Sequence, residues 1–204
     1  MRRVLTLLVL LCLGFPLRAQ YAAINTATDI VRFVPSAAHI TLGLTGVESS
    51  LSFGDRLIES AIAHTLSVGL GYAAKSVFHV ERPDGSDFKS FPSGHAVIAF
   101  TGAELMRMDY GNLWGAGAYV LSAGVAAGRV YTKRHRVYDV LAGAGLGVLC
   151  AHAGKWLLQP VKSLFGLPEW TWDGFSKRRE IQVAFLPGAD PLSGAPMAGL
   201  AVVF

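Results

Sequence analysis

The sequence is poor in charge. Asp, Glu, Lys and Arg together make up 16% of the 204 residues, whereas apolar residues make up 52%. A soluble surface usually carries about 25–35% charged residues. The composition therefore favours a membrane-embedded protein, with a very apolar soluble domain as the alternative. At this length the chain forms one full-sized domain rather than two.

Excess positive charge is also lacking once the first twenty residues are set aside. The net charge is +4, and Arg2, Arg3 and Arg18 contribute three of these charges. The remainder of the chain therefore carries 4 − 3 = +1. The basic isoelectric point gives no support for nucleic-acid binding, and we expect no nucleic-acid partner and no obligate protein partner.

Residues 1–20 have the layout of a secretory signal peptide: a basic start, an apolar stretch and then a small residue at Ala19. An uncleaved anchor is the alternative, although the apolar stretch is short for a bilayer crossing. Cleavage near Ala19 would remove Cys12 and leave Cys150 as the one cysteine. An intramolecular disulfide and a cysteine-based metal site would then be excluded.

No uncharged run is clearly 20 residues long, which is the length that a bilayer crossing usually needs. Five shorter apolar stretches nevertheless have helical character. Ala and Gly recur every three or four residues in the last two, a spacing that lets membrane helices approach closely. We predict an all-α bundle of five to six helices, membrane-embedded. The five stretches are 34–47, 55–78, 94–108, 113–130 and 138–158.

The end of the chain differs from the bundle. The β-prone segments IQVAF and GLAVVF flank a middle rich in Pro and Gly, which predicts a C-terminal β-hairpin; an extended, disordered tail is the alternative. The predicted organisation is a leader or anchor over 1–20, a helical domain over 21–160, and a linker with the hairpin over 161–204.

Polar residues gather in three clusters at the predicted helix ends. In KSVFHVERP, Lys75 and Arg82 are seven residues apart, so both could share one helix face before Pro83 ends the helix. Taken alone, two cations near a helix C-terminus are ordinary partners of the helix dipole.

The second cluster is PSGH, residues 92–95. A helix that begins here directs its free amides at the space before it, and this favours an anion. The hydroxyl of Ser93 adds a donor, Gly94 allows close approach to the backbone, and His95 adds a titratable proton.

The third cluster is GRVYTKRHRVYD. His135 and Asp139 are four residues apart, on one face of a helix predicted to begin near His135. A carboxylate there could fix the imidazole tautomer and raise the nucleophilicity of the other ring nitrogen. Arg129 ends the preceding predicted helix. Such a His–Asp pair is by itself a common structural contact.

The three clusters together predict a phosphate site. Several cations and a helix N-terminus suit a multiply charged tetrahedral anion. Polar groups are costly in an apolar bundle unless something uses them. We expect structural roles for the remaining histidines, although His79 could border the site. They are His39, His64, His79 and His152.

The order of these motifs resembles the signature of the type 2 phosphatidic acid phosphatase family, which shares its helical core with vanadium haloperoxidases. The matching residues are Lys75, Arg82, Pro83, Pro92, Ser93, Gly94, His95, Arg129, His135 and Asp139. One position departs, because the family usually has Ser before the last Arg and this chain has Gly128. That glycine removes a possible hydroxyl contact to phosphate.

The resemblance implies a metal-independent phosphatase without cofactors. His135 would be the nucleophile that forms a phosphohistidine, Asp139 its orienting carboxylate, and His95 the general acid and then base. The remaining motif residues would bind phosphate: Lys75, Arg82, Ser93, Gly94 and Arg129.

The resemblance also implies a lipid phosphate or pyrophosphate as substrate: phosphatidic acid, phosphatidylglycerol phosphate, undecaprenyl pyrophosphate or a lipid A phosphate. The expected location is a bacterial inner membrane, with the site facing the periplasm. Three alternatives remain: a soluble periplasmic acid phosphatase, a vanadate-dependent haloperoxidase and a non-catalytic lipid-binding membrane protein. The sequence does not select the leaving group.

Overall fold

The computed structural model describes residues 17–167 and two strands further along the chain. Residues 17–167 form six α-helices, and a short 3₁₀ helix, Leu42–Thr45, follows the second of them. The all-α bundle and its five predicted stretches are confirmed as α2 to α6. In chain order the helices are α1 Leu17–Val31, α2 Val34–Thr41, α3 Phe53–Phe78, α4 Gly94–Tyr110, α5 Asn112–Tyr131 and α6 Val137–Phe165.

Helix α4 lies at the centre of the bundle and packs against α2, α3, α5 and α6. Its buried face includes several small side chains, and Ala96, Ala99 and Ala103 are fully buried. Glycines of α6 complete this close packing. A Cβ at Gly143 would lie 2.6 Å from the Ser93 carbonyl oxygen, and one at Gly147 would lie 2.5 Å from that of Val97. The predicted use of small residues for close helix approach is therefore confirmed.

The stretch 55–78 ends at Phe78 as predicted, but two predicted helix faces are wrong, because Arg82 and His135 lie outside the helices. Helix α3 ends at Phe78, and His79 follows in a left-handed conformation with φ of 41°. Arg82 thus lies in the following loop and does not share a helix face with Lys75. Helix α6 begins at Val137, so His135 lies just before it. In both cases the motif residue, Arg82 or His135, lies on a loop next to the helix end.

Helix α1 was not predicted, because its first residues overlap the leader-like segment. It covers Leu17–Val31 and packs mainly against α5. The leader assignment for 1–20 stays a prediction, since residues 1–16 lie outside the described part of the chain. A cut near Ala19 would leave most of α1 in place.

The second compact unit, Asp173–Phe204, contains the predicted hairpin. Its strands, β1 Gln182–Ala189 and β2 Pro196–Val203, pair antiparallel with Gln182 opposite Val203. The bulk of the segment IQVAF lies in β1, and the bulk of GLAVVF lies in β2.

Within the described residues, α6 is the one helix long and apolar enough to span a bilayer. It also presents large apolar side chains outward, among them Leu149, which is 68% exposed, and Trp156, which is 77% exposed. Pro160 lies near the end of this helix. These features are compatible with a lipid environment around α6.

The histidines outside the motifs have structural partners. Nε2 of His39 lies 2.8 Å from Oδ2 of Asp109, and both side chains are fully buried. His64 contacts the Ser36 hydroxyl at 2.8 Å, and His152 pairs with Glu104 at 2.8 Å. The structural readings of these three histidines agree with the geometry.

Candidate active site

The candidate site lies where α3 and α5 end and α4 and α6 begin, and His135 is at its centre. The imidazole is 2% exposed. Its Nδ1 lies 2.8 Å from the carbonyl oxygen of Ser90. A carbonyl can only accept, so Nδ1 carries the proton and Nε2 carries a lone pair. Nε2 lies 3.5 Å from Nη1 of Arg82, so this nitrogen faces a cation.

Asp139 supports His135 from the side without a direct hydrogen bond. Its Oδ2 lies 3.9 Å from Nδ1 of His135, beyond hydrogen-bond distance. The same oxygen accepts hydrogen bonds from the Ser90 hydroxyl at 2.6 Å and from the Arg136 amide at 2.7 Å. The proton acceptor that sets the tautomer is therefore Ser90, and Asp139 fixes the side chain of Ser90. The sequence analysis expected Asp139 itself in that role.

Two motif cations are held by the loop between α3 and α4. The guanidinium of Arg82 donates from Nε to Asp87 at 2.7 Å, and its Nη1 lies beside His135. The ammonium of Lys75 donates to the carbonyl oxygens of Lys89 and Pro92. Backbone carbonyls neutralise no charge, so Lys75 remains a cation available to an anion.

The N-terminus of α4 meets the same space. Ser93 is its N-cap residue, but its hydroxyl makes no capping hydrogen bond. This hydroxyl is buried and has no hydrogen-bond partner in the structure. A Cβ added at Gly94 would meet nothing within 4 Å, so the backbone is open there. The Ser93 amide donates to the Asp139 carbonyl at 2.9 Å, which joins this helix end to α6.

The third motif cation, Arg129, is 5% exposed at the end of α5. Its Nη1 donates to the side chain of Asn25 at 2.9 Å and lies 3.4 Å from the Thr28 hydroxyl. His95 also has neighbours on α1 and directly after it: its Nε2 lies 2.5 Å from Oδ1 of Asp29 and 3.3 Å from Arg32. Three side chains of α1 and that of Arg32 thus reach the motif residues.

Both imidazoles are held neutral by their surroundings. Burial, followed by the charges of Arg82, Lys75 and Arg129, lowers the pKa of His135 to about 3. Burial is also the main cause that lowers the pKa of His95 to about 4; Asp29 opposes this change, and Arg129 and Arg32 add to it. A bound anion would reverse the effect of the cations on both rings.

A cavity of about 200 Å³ opens beside the site between α3 and α4. Lys75, Gly94 and Arg32 line its polar part. Apolar and small residues form the rest of its wall: Val68, Gly71, Val97 and Ile98, with Ser67 and Tyr72 among them. The cavity therefore joins a cationic end to an apolar wall.

Gly128 has a packing explanation in this structure. A Cβ at this position would lie 2.8 Å from Cγ2 of Thr28 and 3.2 Å from Cγ2 of Ile24. The residue that departs from the family pattern thus packs against α1. Its glycine makes room for the helix that contacts Arg129.

The structure brings all eight predicted site residues to one place and adds residues that the sequence analysis missed. Ser90 was missed because its contribution to His135 is a backbone carbonyl, which has no residue-type signature. The α1 residues were missed because they precede the motifs. Their spacing was a usable signal, since Asn25, Thr28, Asp29 and Arg32 follow the i, i+3, i+4, i+7 pattern of one helix face.

A group of side chains of the types that bind metal ions lies elsewhere in the described residues. His39, Glu59 and Asp109 are buried with ligand atoms within 4.8 Å of one another. Glu59 lies 16 residues before Lys75 on α3, which is about 24 Å along the helix. Lys155 already places a positive charge 3.3 Å from Asp109. This group is therefore separate from the candidate site.

Comparison with known proteins identifies the family. The model of the PAP2 superfamily matches residues 56–162, more than half of the chain. The chain belongs to the PAP2 superfamily. The matched range contains every motif residue of the candidate site and leaves α1 outside.

One curated protein and one solved structure are similar to this chain. A lipid A 1-phosphatase of Porphyromonas gingivalis is 32% identical over 133 residues, which is 63% of this chain and 30% of that protein. The chain thus spans less than a third of the length of this curated relative. The crystal structure of Aquifex aeolicus LpxE is similar with a TM-score of 0.51 and 20% identity, over 70% of this chain and 96% of that one. The second likeness supports the fold.

Proposed function

We propose that this protein is a metal-independent phosphatase that hydrolyses a phosphate ester of a membrane lipid, with lipid A type substrates foremost. The observation that carries the proposal is the position of His135: its Nδ1 is committed to the Ser90 carbonyl and its free Nε2 faces Arg82. A neutral imidazole with an oriented lone pair beside cations is suited to attack phosphorus.

The proposed reaction has two steps. Lys75, Arg82 and Arg129 bind the non-bridging phosphate oxygens, with the Ser93 hydroxyl and the Gly94 amide as further donors. Nε2 of His135 attacks phosphorus and the bond to the leaving alkoxide breaks, while His95 gives that oxygen a proton. His95 then takes a proton from water, which attacks the phosphohistidine, releases inorganic phosphate and restores His135.

The buried donors without partners support an anion in this place. The Ser93 hydroxyl and Nε of Arg129 and of Arg32 have no hydrogen-bond partner in the structure. Buried polar groups without a partner are costly, by about 1–3 kcal/mol each. A phosphate group offers acceptor oxygens to such donors, and several cations distribute its charge.

The lipid part of the proposal is supported by the cavity and the helix surface. The cavity joins Lys75 and Arg32 to an apolar wall, as an amphipathic substrate requires. Large side chains of α5 and α6 point outward, and Leu113 is 85% exposed. Exposed apolar surface on this scale is typical of contact with a membrane. The name of the Porphyromonas gingivalis relative agrees with a lipid A type substrate.

We place the protein at a bacterial inner membrane with the site facing the periplasm. The support is the leader-like segment 1–20, with its basic start and apolar stretch. Mass spectrometry of the N-terminus after expression in a bacterium tests the cleavage. An alkaline phosphatase fusion after Phe165 tests the orientation of α6.

Phosphate release from a panel of lipid phosphates, by protein purified in detergent, tests the function. We expect release from at least one lipid and its loss in His135→Ala, because the nucleophile is removed. His39→Ala is unsuitable as a control because that histidine is buried, so Glu48→Gln, at an exposed position before α3, serves instead. Release from soluble phosphomonoesters alone would favour a soluble acid phosphatase. Turnover by His135→Ala near the wild-type rate would refute the nucleophile assignment.

A further inference from the structure

Helix α1 presents a polar face to the candidate site. Asn25, Thr28 and Asp29 lie on that face, Arg32 follows directly after the helix, and each of the four contacts Arg129 or His95. The family match begins at residue 56, so this helix lies outside the part of the chain that defines the family. Gly128 leaves room for this helix, because a Cβ at that position would collide with the side chain of Thr28.

Within this face, Asp29 and His95 form the shortest contact. Oδ1 of Asp29 lies 2.5 Å from Nε2 of His95. A carboxylate only accepts hydrogen bonds, so Nε2 is the protonated nitrogen. Arg32, 3.3 Å from the same nitrogen, then acts as a neighbouring charge and not as a donor to it. The second ring nitrogen, Nδ1, is left for a substrate oxygen.

We propose that Asp29 is the positioning residue of His95: its carboxylate holds the ring through Nε2 and stabilises the protonated form that delivers a proton to the leaving oxygen. The charged groups around His95 are Asp29 from α1, Arg32 directly after that helix and Arg129 from α5. Two of these three disfavour an imidazolium, and Asp29 is the group that favours it. The side chain of Asp29 is 54% exposed, so its role is not one of core packing.

The inference rests on the proposed phosphatase function, and the test separates the two. Asp29→Asn keeps a hydrogen-bond acceptor and loses the charge, whereas Asp29→Glu keeps the charge. An alkyl phosphate requires a proton on its leaving oxygen, and p-nitrophenyl phosphate hardly does. For Asp29→Asn we expect kcat to fall about 10- to 100-fold on the alkyl phosphate and less than about threefold on p-nitrophenyl phosphate.

Controls make the comparison specific. Glu48→Gln removes a carboxylate from an exposed position in the loop before α3 and should change neither rate. Asp29→Glu should recover a large part of the loss on the alkyl phosphate. Equal losses on both substrates, or no loss on either, would overturn the proposal, because neither outcome reflects proton delivery by His95.

A binding measurement covers the case in which no substrate is turned over. Nitrogen NMR of the histidine rings, in protein saturated with inorganic phosphate, follows the titration of His95 directly. We expect Asp29→Asn to shift its midpoint to lower pH than in the wild type, and Glu48→Gln to leave it unchanged. An unchanged midpoint in Asp29→Asn would refute the pairing even if the phosphatase function holds. If the wild-type protein hydrolyses no phosphate ester, the proposed phosphatase function is refuted, whereas the pairing of Asp29 with His95 is not.

Discussion

Replacing Asp139 by Asn tests how the buried carboxylate supports the nucleophile. Attack by Nε2 gives His135 a positive charge, and Oδ2 of Asp139 lies 3.9 Å from its Nδ1. Asp139 is fully buried, so its charge is weakly screened by solvent. At an effective dielectric constant of about 20, two unit charges at this separation attract by about 4 kcal/mol. The substitution removes that attraction from the transition state while it preserves the side-chain shape.

The expected effect on Asp139→Asn follows from that energy. A loss of about 4 kcal/mol corresponds to about a thousandfold decrease in kcat. Ser90→Ala is the companion variant, because it removes the 2.6 Å hydrogen bond to Asp139 and leaves both the charge and the Ser90 carbonyl in place. One charge-assisted hydrogen bond contributes about 1.5–3 kcal/mol, so Ser90→Ala should lose about 10- to 100-fold.

The assay is phosphate release at saturating substrate, with rapid-quench detection of the phosphoenzyme in a single turnover. Asp139→Asn should slow formation of the phosphoenzyme. Thermal unfolding of each variant in detergent reports whether the fold is retained, and Glu48→Gln serves as the charge control. A folded Asp139→Asn protein that keeps kcat within about tenfold of wild type would refute the electrostatic account.

Two further predictions concern packing and titration. Gly128→Ser places a Cβ 2.8 Å from Cγ2 of Thr28, and this clash should lower the stability of the protein in thermal unfolding by about 1–3 kcal/mol. Adding Thr28→Ser removes the methyl group of Thr28, so the double variant should regain that stability. Failure of the double variant to recover would contradict the proposed clash. Because the pKa of His135 is lowered to about 3, its ring stays neutral in the substrate-free protein as the pH falls from 8 to about 4. Nitrogen NMR should show no titration there, and a midpoint near its ordinary value of about 6.5 would refute the assignment.

The helices could be predicted because apolar runs and turn chemistry act locally. Each predicted stretch from 34 to 158 corresponds to a helix, since uncharged runs ended by Pro, Gly and Asp leave few alternatives. The limits were less predictable. His79 ends α3 in a left-handed conformation, which its residue type favours only weakly. As a result, Arg82 reaches the site from a loop and not from the helix.

The motif residues of the site could be predicted, whereas the way they are held could not. Lys75, His95 and His135 have side chains whose chemistry is visible in the sequence. The acceptor of the His135 proton is a backbone carbonyl, and any residue type could supply it at position 90. The contact of Asn25 with Arg129 joins residues more than 100 positions apart. Such pairings depend on the tertiary arrangement of α1 and α5, which a single sequence does not encode locally.

The two carboxylates of the site differ in burial, and this difference matches two different tasks. Asp139 is fully buried and has two hydrogen-bond donors, the Ser90 hydroxyl and the Arg136 amide. These hydrogen bonds fix its side chain beside His135. Asp29 is half-exposed on a helix at the edge of the site. Solvent can reach it, which suits a partner of His95 in the proposed proton transfer.

This asymmetry also explains why one imidazole would be the nucleophile and the other the acid. His135 faces Arg82 with a free Nε2 and has its proton fixed by Ser90, so a second proton there is strongly disfavoured. His95 has a carboxylate in hydrogen-bond contact, which partly offsets the cations around it. When a phosphate dianion enters, both rings become easier to protonate. His95 is in hydrogen-bond contact with its carboxylate, whereas Asp139 lies 3.9 Å from His135. His95 therefore gains the proton first, and His135 stays free to attack.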